Sequence, residues 1–400
     1  MLLKPTSGTS TPHLLLVFAQ IFFLSSSPFP LRRPLAITTL TGLAIWAQLS
    51  PWTHNPGTAN FAALAWPHWL ATIEKFLNHT PNPESALWPV DKQPGVALTW
   101  PAFGWRKLKW SVSLILNLRG IRYNFQVKNV PKTRFWSSER TGTLRFLTWQ
   151  VVELALFMLM GDLVAQLSIR LFFPTPGLDS MTLTIRDANW TASFGKALVF
   201  GAGPYFFINM QYILASIVCV GLGINRPEDW PPLFGRLAEA TTVRSFWGKF
   251  WHQMIRKPLS GLTGSLVDAL GITRGTNASS YTQLWISFAV SGFMHAASMT
   301  LMPCPANIPE WHRWRGLLLY FLWQAAAITI EDFVIFTGQK LLGGIQTRKK
   351  WVHCLGYLWV TWSFWTSLAW AADVLLKLRM GETSPFPGTL WGPFLDQILA

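Results

Sequence analysis

FLTWQVVELALFMLMGDLVAQLSIRLF, residues 146–172, decides the fold class. It is longer than the roughly 17 to 25 residues that cross a bilayer core, and its charged residues are Glu153, Asp162 and Arg170 alone. Working outward, residues 198–222, 281–302, 316–336 and 352–374 read as spans of the same kind. Composition agrees. Of 400 residues 50% are hydrophobic, 14% aromatic and 13% charged, against about 25% charged in soluble domains. So few charges cannot screen that much apolar surface from water. Disordered chains are apolar-poor, which excludes that class. The three cysteines, Cys219, Cys304 and Cys354, form neither a disulfide framework nor a zinc-like spacing. The fold expected is an all-α, polytopic transmembrane bundle.

Lys and Arg number 33 and Asp and Glu 18, a net of +15. On a soluble chain that excess would suggest nucleic acid; here the cations sit between apolar runs, so no nucleic acid is expected. Residues 101–145 hold ten Lys/Arg and one acid, 223–260 six and three, and 337–351 four and none, so these segments carry 20 of the 33 cations. Positive loops face the cytoplasm. Two spans separate each basic loop from the next, which returns all three to one side. Residues 173–191 and 303–315 then fall on the lumenal side, where Arg313 offers a control position.

Before this core, residues 14–24 read as an uncleaved first span and 35–49 as a second, with Arg32 and Arg33 cytoplasmic between them. Re-entry is expected within 61–76, a weak segment broken by Pro67, His68 and Glu74. The sequons at Asn78 and Asn189 fall on or near the lumenal side, and that at Asn277 lies close to a membrane end. The total is seven to nine spans. Residues 81–101 are a Pro-rich connector. The chain divides into N-terminal spans plus connector (1–100) and a membrane core (101–400), and an endoplasmic-reticulum membrane is expected.

Ionisable residues inside spans are costly, so each is a functional candidate. His295 stands out in LWISFAVSGFMHAASMTL, residues 284–301, where nothing else ionises. Ser291, Gly292 and Ser298 share its helix face, and Gly292 and Ala296 would admit another backbone or a substrate. A neutral imidazole there keeps one ring nitrogen as an acceptor, the state in which a base takes a proton from a hydroxyl. The competing role is an interhelical hydrogen bond that only packs the bundle. For Glu153, Asp162, Glu331, Asp332 and Asp373 structural roles are expected; a chain of such acids would instead suit a proton-coupled transporter.

Residues 241–258, TTVRSFWGKFWHQMIRKP, read as an amphipathic helix with Phe246, Trp247, Phe250 and Trp251 on one face. Arg244, Lys249, Arg256 and Lys257 lie among these rings, with His252 and Gln253 at the rim. One function is an interfacial anchor. The other is to meet a polyanionic cytosolic substrate. Acyl-coenzyme A fits: its phosphates suit Arg and Lys, its adenine or pantetheine can pack on Trp and Phe, and its acyl end would reach toward His295. Membrane lipids and a lipophilic alcohol acceptor complete the partners.

Three motifs carry a family resemblance: NLRGI (117–121) with QVKNVP (126–131); WPPLFG (230–235) leading to SFWGKFWHQ (245–253); and SGFMHA (291–296). In order and spacing, over about residues 115 to 300, they resemble the membrane-bound O-acyltransferase superfamily, in its wax-synthase-domain branch. More narrowly they resemble fungal members that acetylate terpenoid and meroterpenoid alcohols as secondary metabolites. The resemblance implies that His295 is the base toward the acceptor hydroxyl. It places the family's second polar position, Asn or Asp in other branches, at His252. It casts Ser291, Trp247, Trp251, Gln253, Arg244 and Lys249 as substrate-binding, with acetyl-CoA as co-substrate and no metal. Arg122 stands where the family pattern has Gly. The alternatives are a long-chain wax-ester synthase and a non-catalytic membrane transporter.

Overall fold

The computed structural model describes residues 2–63, 65–133, 140–341 and 350–399. Every regular element among them is helical, apart from two isolated bridges. In chain order the helices are α1 (Thr11–Ser25), α2 (Arg32–Gln48), α3 (Pro56–Ala63), α4 (Ala65–Asn78), α5 (Pro83–Ala86) and α6 (Trp105–Leu116). They continue as α7 (Arg140–Phe172), α8 (Trp190–Gly221), α9 (Val243–Ser245), α10 (Arg256–Ala269), α11 (Asn277–Thr300), α12 (Arg315–Leu341), α13 (Lys350–Lys377) and α14 (Trp391–Leu399). Much of the expected basic loop 337–351, and residues 134–139 of the loop 101–145, lie outside the described residues.

Three helices, α7, α8 and α12, are long and apolar enough to cross a membrane, and α1 is a shorter apolar helix. The expected spans at 281–302 and 352–374 are occupied by α11 and α13, helices of 24 and 28 residues. In α11, Asn, Ser, Thr and Gln crowd the first two turns, and these dilute its apolar character. Around α7 the outward face is apolar, with Leu144, Val151, Val152 and Leu156 all exposed, as a lipid-facing helix requires.

The chain divides into two compact units. One holds residues 2–128 and 253–332, the other 129–252 and 333–400. In the first, the hairpin of α1 and α2 packs with α4 and α6 around Leu16, Leu24, Leu40, Trp110 and Leu114. A smaller cluster, Leu70, Leu259 and Met294, joins α4, α10 and α11. In the second, α7 and α8 form the main hairpin. Asn189 starts α8 by accepting the Thr191 N–H at 3.0 Å, which satisfies one of the donors that a helix start leaves open.

Three of the acids within the expected spans serve the frame. Asp162 Oδ2 accepts from Thr389 Oγ1 (2.9 Å) and from the N–H groups of Leu390 (2.8 Å) and Trp391 (3.2 Å). It thereby fixes the start of α14. Asp373 accepts the Thr184 hydroxyl at 2.8 Å, and Asp332 accepts the Tyr281 hydroxyl at 3.0 Å. Structural roles were expected for these three, and each holds a specific local partner.

Candidate active site

His295 lies in the last third of α11, half-buried. Its Nδ1 stands 2.7 Å from the Ser291 carbonyl oxygen. A carbonyl oxygen only accepts, so Nδ1 carries the proton, and the neutral ring presents Nε2 as its acceptor. The Phe321 ring of α12 stacks on the imidazole, with centroids 4.6 Å apart and planes at 30°. That stacking depends on a glycine. A Cβ at Gly292 would stand 3.0 Å from Phe321 Cβ and 3.3 Å from Leu318 Cα, so residue 292 must be small for α12 to lie this close. Ser291 is buried and contributes its backbone carbonyl.

The end of α11 is held from several sides within the same unit. Gln48 of α2 donates to the Ala297 carbonyl (3.0 Å) and the Thr300 hydroxyl (2.5 Å), while accepting from Trp66 Nε1 at 2.8 Å. Ser298 Oγ reaches the Ala63 carbonyl at 3.2 Å. Arg313 closes the helix by donating to the carbonyls of Thr300 (2.5 Å) and Met302 (3.0 Å). Arg313 is therefore a helix cap, which corrects its reading as an inert lumenal control. A cation at this end also complements the helix dipole.

The segment 241–258 departs from the continuous amphipathic helix expected. Thr242 caps a single turn, α9, by accepting the Ser245 N–H at 2.9 Å. Residues Phe246–Phe250 then form one π-turn, closed by the Trp251 N–H on the Phe246 carbonyl at 2.7 Å. Trp251 is extended, with ψ 149°. The helix ends because its carbonyls are claimed from outside. Asn129 Nδ2 takes the Gly248 carbonyl at 2.9 Å, and the Gly235 N–H takes that of Phe250 at 2.8 Å. A side chain at Gly235 would run into the Lys249 carbonyl, so this approach needs glycine.

The π-turn gathers the aromatic residues into one cluster. Phe246 stacks on Trp251 (5.6 Å, 19°) and packs on Phe364 of α13 at 4.3 Å. Trp247 meets Trp251 edge-on at 5.9 Å. The His252 ring stands 5.4 Å from Trp251 and 5.7 Å from Phe234. Arg244 and Lys249 are exposed beside this cluster. All these residues belong to the second unit, whereas His295, Ser291 and Gln253 belong to the first.

Three of the residues expected to meet substrate hold partners in the frame. Gln253 is buried rather than at a rim, and its Oε1 accepts from Arg256 Nη1 at 2.8 Å. Lys257 Nζ lies 3.5 Å from the buried Glu74 carboxylate. Arg256 and Lys257 thus serve the frame of α10, and Arg244 and Lys249 are the cations of this segment that face outward.

The motif NLRGI to QVKNVP folds as a tight double turn. Asn117 exchanges hydrogen bonds with Ile121, both at 2.9 Å, and the Val127 N–H reaches the Arg119 carbonyl at 3.0 Å. Gly120 and Arg122 have φ of +63° and +59°. That left-handed region favours glycine, the residue of the family pattern at 122, and Arg122 adopts it nonetheless. Asn129, Gly235 and Phe321 went unremarked as single residues in the sequence reading. The two turn residues lie inside quoted motifs, but their partners are distant in the chain.

A model described as the membrane bound O-acyl transferase family matches residues 230–323, and one described as the C-terminal domain of aspirochlorine biosynthesis protein F matches residues 142–221. Aspirochlorine biosynthesis protein F of Aspergillus oryzae is 55% identical over 56% of this chain and 89% of its own length. Acetyltransferase ple2 of Rhodocybe pseudopiperita is 33% identical over 70% of this chain and 74% of its own. Acetyltransferase ataH of Aspergillus terreus is 31% identical over 64% and 85% respectively. No solved structure matches the chain. The chain belongs to the membrane bound O-acyl transferase family and is an acyltransferase.

Proposed function

We propose that the protein transfers an acetyl group from acetyl-CoA to a hydroxyl of a lipophilic secondary metabolite. One observation carries the reading: the Nδ1 contact with the Ser291 carbonyl leaves His295 Nε2 as an acceptor in a stretch, 284–301, where no other side chain ionises. In the reaction Nε2 takes the hydroxyl proton as the acceptor oxygen attacks the thioester carbonyl. The tetrahedral intermediate collapses, the C–S bond breaks, and CoA thiolate leaves. The imidazolium returns its proton to the thiolate, so the enzyme ends as it began. General-base catalysis of this kind contributes roughly 10² to 10⁴ in rate.

Names of relatives support the acetyl donor and a secondary-metabolite acceptor, since ple2 and ataH are named acetyltransferases and a third relative is named for aspirochlorine biosynthesis. A terpenoid or meroterpenoid alcohol is our acceptor class. Exposed Arg244 and Lys249 are assigned to the donor phosphates, with Trp247 and Trp251 beside them. His252 keeps the family's second polar position; His252→Asn, which installs the family's usual amide, should retain more activity than His252→Ala. We place the protein in the endoplasmic-reticulum membrane with seven to nine spans. Residues 1–100 are N-terminal spans and connector, and 101–400 the acyltransferase core.

The test is microsomes from a host expressing the chain, incubated with labelled acetyl-CoA and a panel of terpenoid alcohols. Labelled ester should form with acetyl-CoA and exceed that from a long-chain acyl-CoA with fatty alcohol. Ester from the second pair alone would make the protein a wax-ester synthase. No ester from any pair, with folded protein in the membrane, would refute the reading.

A further inference from the structure

A cavity of about 130 Å³ lies where α1 passes into α2, walled by Phe29, Arg32, Arg33, Phe76, His79 and Asn82. All of these residues belong to one compact unit, with Arg33 Nη2 2.6 Å from the Leu77 carbonyl, which corrects the expectation that the Asn78 sequon lies on the side opposite Arg32 and Arg33. The volume holds on the order of four waters, or one tetrahedral oxyanion. Its charge is unbalanced. Arg32 is 4% exposed and Lys107 1%, and both lean on the carboxylate of Glu84, which is 0% exposed. Arg32 Nη1 lies 2.8 Å and Lys107 Nζ 3.1 Å from the same oxygen, Glu84 Oε1. Two buried cations thus share one anion, and a buried charge without compensation is strongly unfavourable.

Donors remain for a ligand. Arg32 uses Nε on the Phe23 carbonyl (2.9 Å) and Nη1 on Glu84, while its buried Nη2 has no hydrogen-bond partner among the described residues. His79 Nε2, also buried, faces Glu74 Oε1 at 3.5 Å, so a phosphate would share the imidazole with that carboxylate. Asn82 spends its Oδ1 on the Ser85 N–H (3.0 Å), which leaves its amide NH₂ as a donor. Arg33, at the exposed mouth, adds a further cation. A planar guanidinium, an imidazole and an amide around a small volume form a donor set suited to phosphate oxygens.

We propose that this cavity binds a phosphate group, carried by a membrane lipid headgroup or by a soluble phosphate. Exposed Phe29 and Leu31 beside the mouth favour a lipid, whose chains they could meet while the headgroup enters. The site is independent of the acetyl-transfer reading.

The experiment is thermal unfolding of the detergent-purified full chain, titrated with dioctanoyl phosphatidic acid, inorganic phosphate or dioctanoylglycerol. Phosphatidic acid should raise the Tm in a saturable way. Arg33→Gln with His79→Gln should weaken its apparent affinity roughly ten-fold or more, whereas Arg106→Gln, an exposed cation outside the cavity, should respond as wild type. Arg32→Gln would also remove the Arg32 bonds to the Phe23 carbonyl and to Glu84 that hold the wall itself, so the double variant carries the test. Stabilisation by phosphatidic acid alone identifies a lipid headgroup; stabilisation by inorganic phosphate at similar concentration identifies a soluble source. Equal stabilisation by dioctanoylglycerol, or a wild-type response in the double variant, would overturn the proposal.

Discussion

The sharpest perturbation of the proposed chemistry is His295→Asn. An asparagine amide nitrogen sits at the same depth along the side chain as imidazole Nδ1. It can therefore still donate to the Ser291 carbonyl, which Nδ1 reaches at 2.7 Å. That bond contributes about 1 kcal/mol to stability and should survive. What is lost is the ring contact with Phe321 (4.6 Å), about 0.5–1.5 kcal/mol, together with Nε2. Stability should fall by roughly 1–2 kcal/mol, which leaves the protein folded in the membrane. Turnover should fall 10²- to 10⁴-fold, about 2.7 to 5.4 kcal/mol in activation free energy. The assay is the initial rate of labelled ester formation at saturating donor, normalised to monodisperse protein after detergent extraction. A packing histidine would leave the normalised rate within about threefold of wild type. That result would refute the assignment of His295 as base.

Other expectations concern the parts around it. Arg244→Gln and Lys249→Gln should each raise the KM for acetyl-CoA by the equivalent of about 1.5–3 kcal/mol with acceptor KM nearly unchanged; lower protein yield at constant donor KM would instead mark a headgroup anchor. The control for that pair is Arg186→Gln, because Arg313→Gln would uncap α11. Asp162→Ala should cost about 1–3 kcal/mol in stability by releasing the start of α14, with donor and acceptor KM unchanged in the remaining folded protein; a collapse of turnover at unchanged Tm would reinstate a proton-path role. Single cysteines placed in 223–242 should react with an impermeant thiol reagent from the cytosolic side of sealed microsomes, and those in 174–189 from the lumenal side, once Cys219, Cys304 and Cys354 are replaced. Finding 223–242 lumenal would remove access to cytosolic CoA.

Long apolar periods made the helices legible. Expected spans at 146–172, 198–222, 281–302, 316–336 and 352–374 fall on α7, α8, α11, α12 and α13. Residues 14–24 and 35–49 fall on α1 and α2. Such readings succeed because apolar length is a property of the local chain. They fail where the backbone is held from a distance. The pattern at 246, 247, 250 and 251 is helical in spacing, yet Asn129 and Gly235 take the carbonyls that would have continued the helix. No window centred on residue 250 contains Asn129. Gln253 differs for a local reason: its polarity reads as exposure, whereas a hydrogen bond from Arg256, three residues on, satisfies its amide oxygen in the interior.

The same contrast appears within the family motifs, whose residues mostly hold the backbone. In VKN, Asn129 fixes the π-turn rather than a substrate. In WPPLFG, Gly235 yields space to the Lys249 backbone. In SGFMH, Gly292 admits α12, and Phe321 from that helix then lies against the imidazole. In each motif the named residue serves the packing of the backbone. Placement of this kind is worth much in an acyl transfer, where a misplacement of about 1 Å can cost on the order of 10² in rate. The polar stripe around His295 therefore divides into a glycine for approach, a serine carbonyl that sets the tautomer, and a ring nitrogen, Nε2, left as an acceptor.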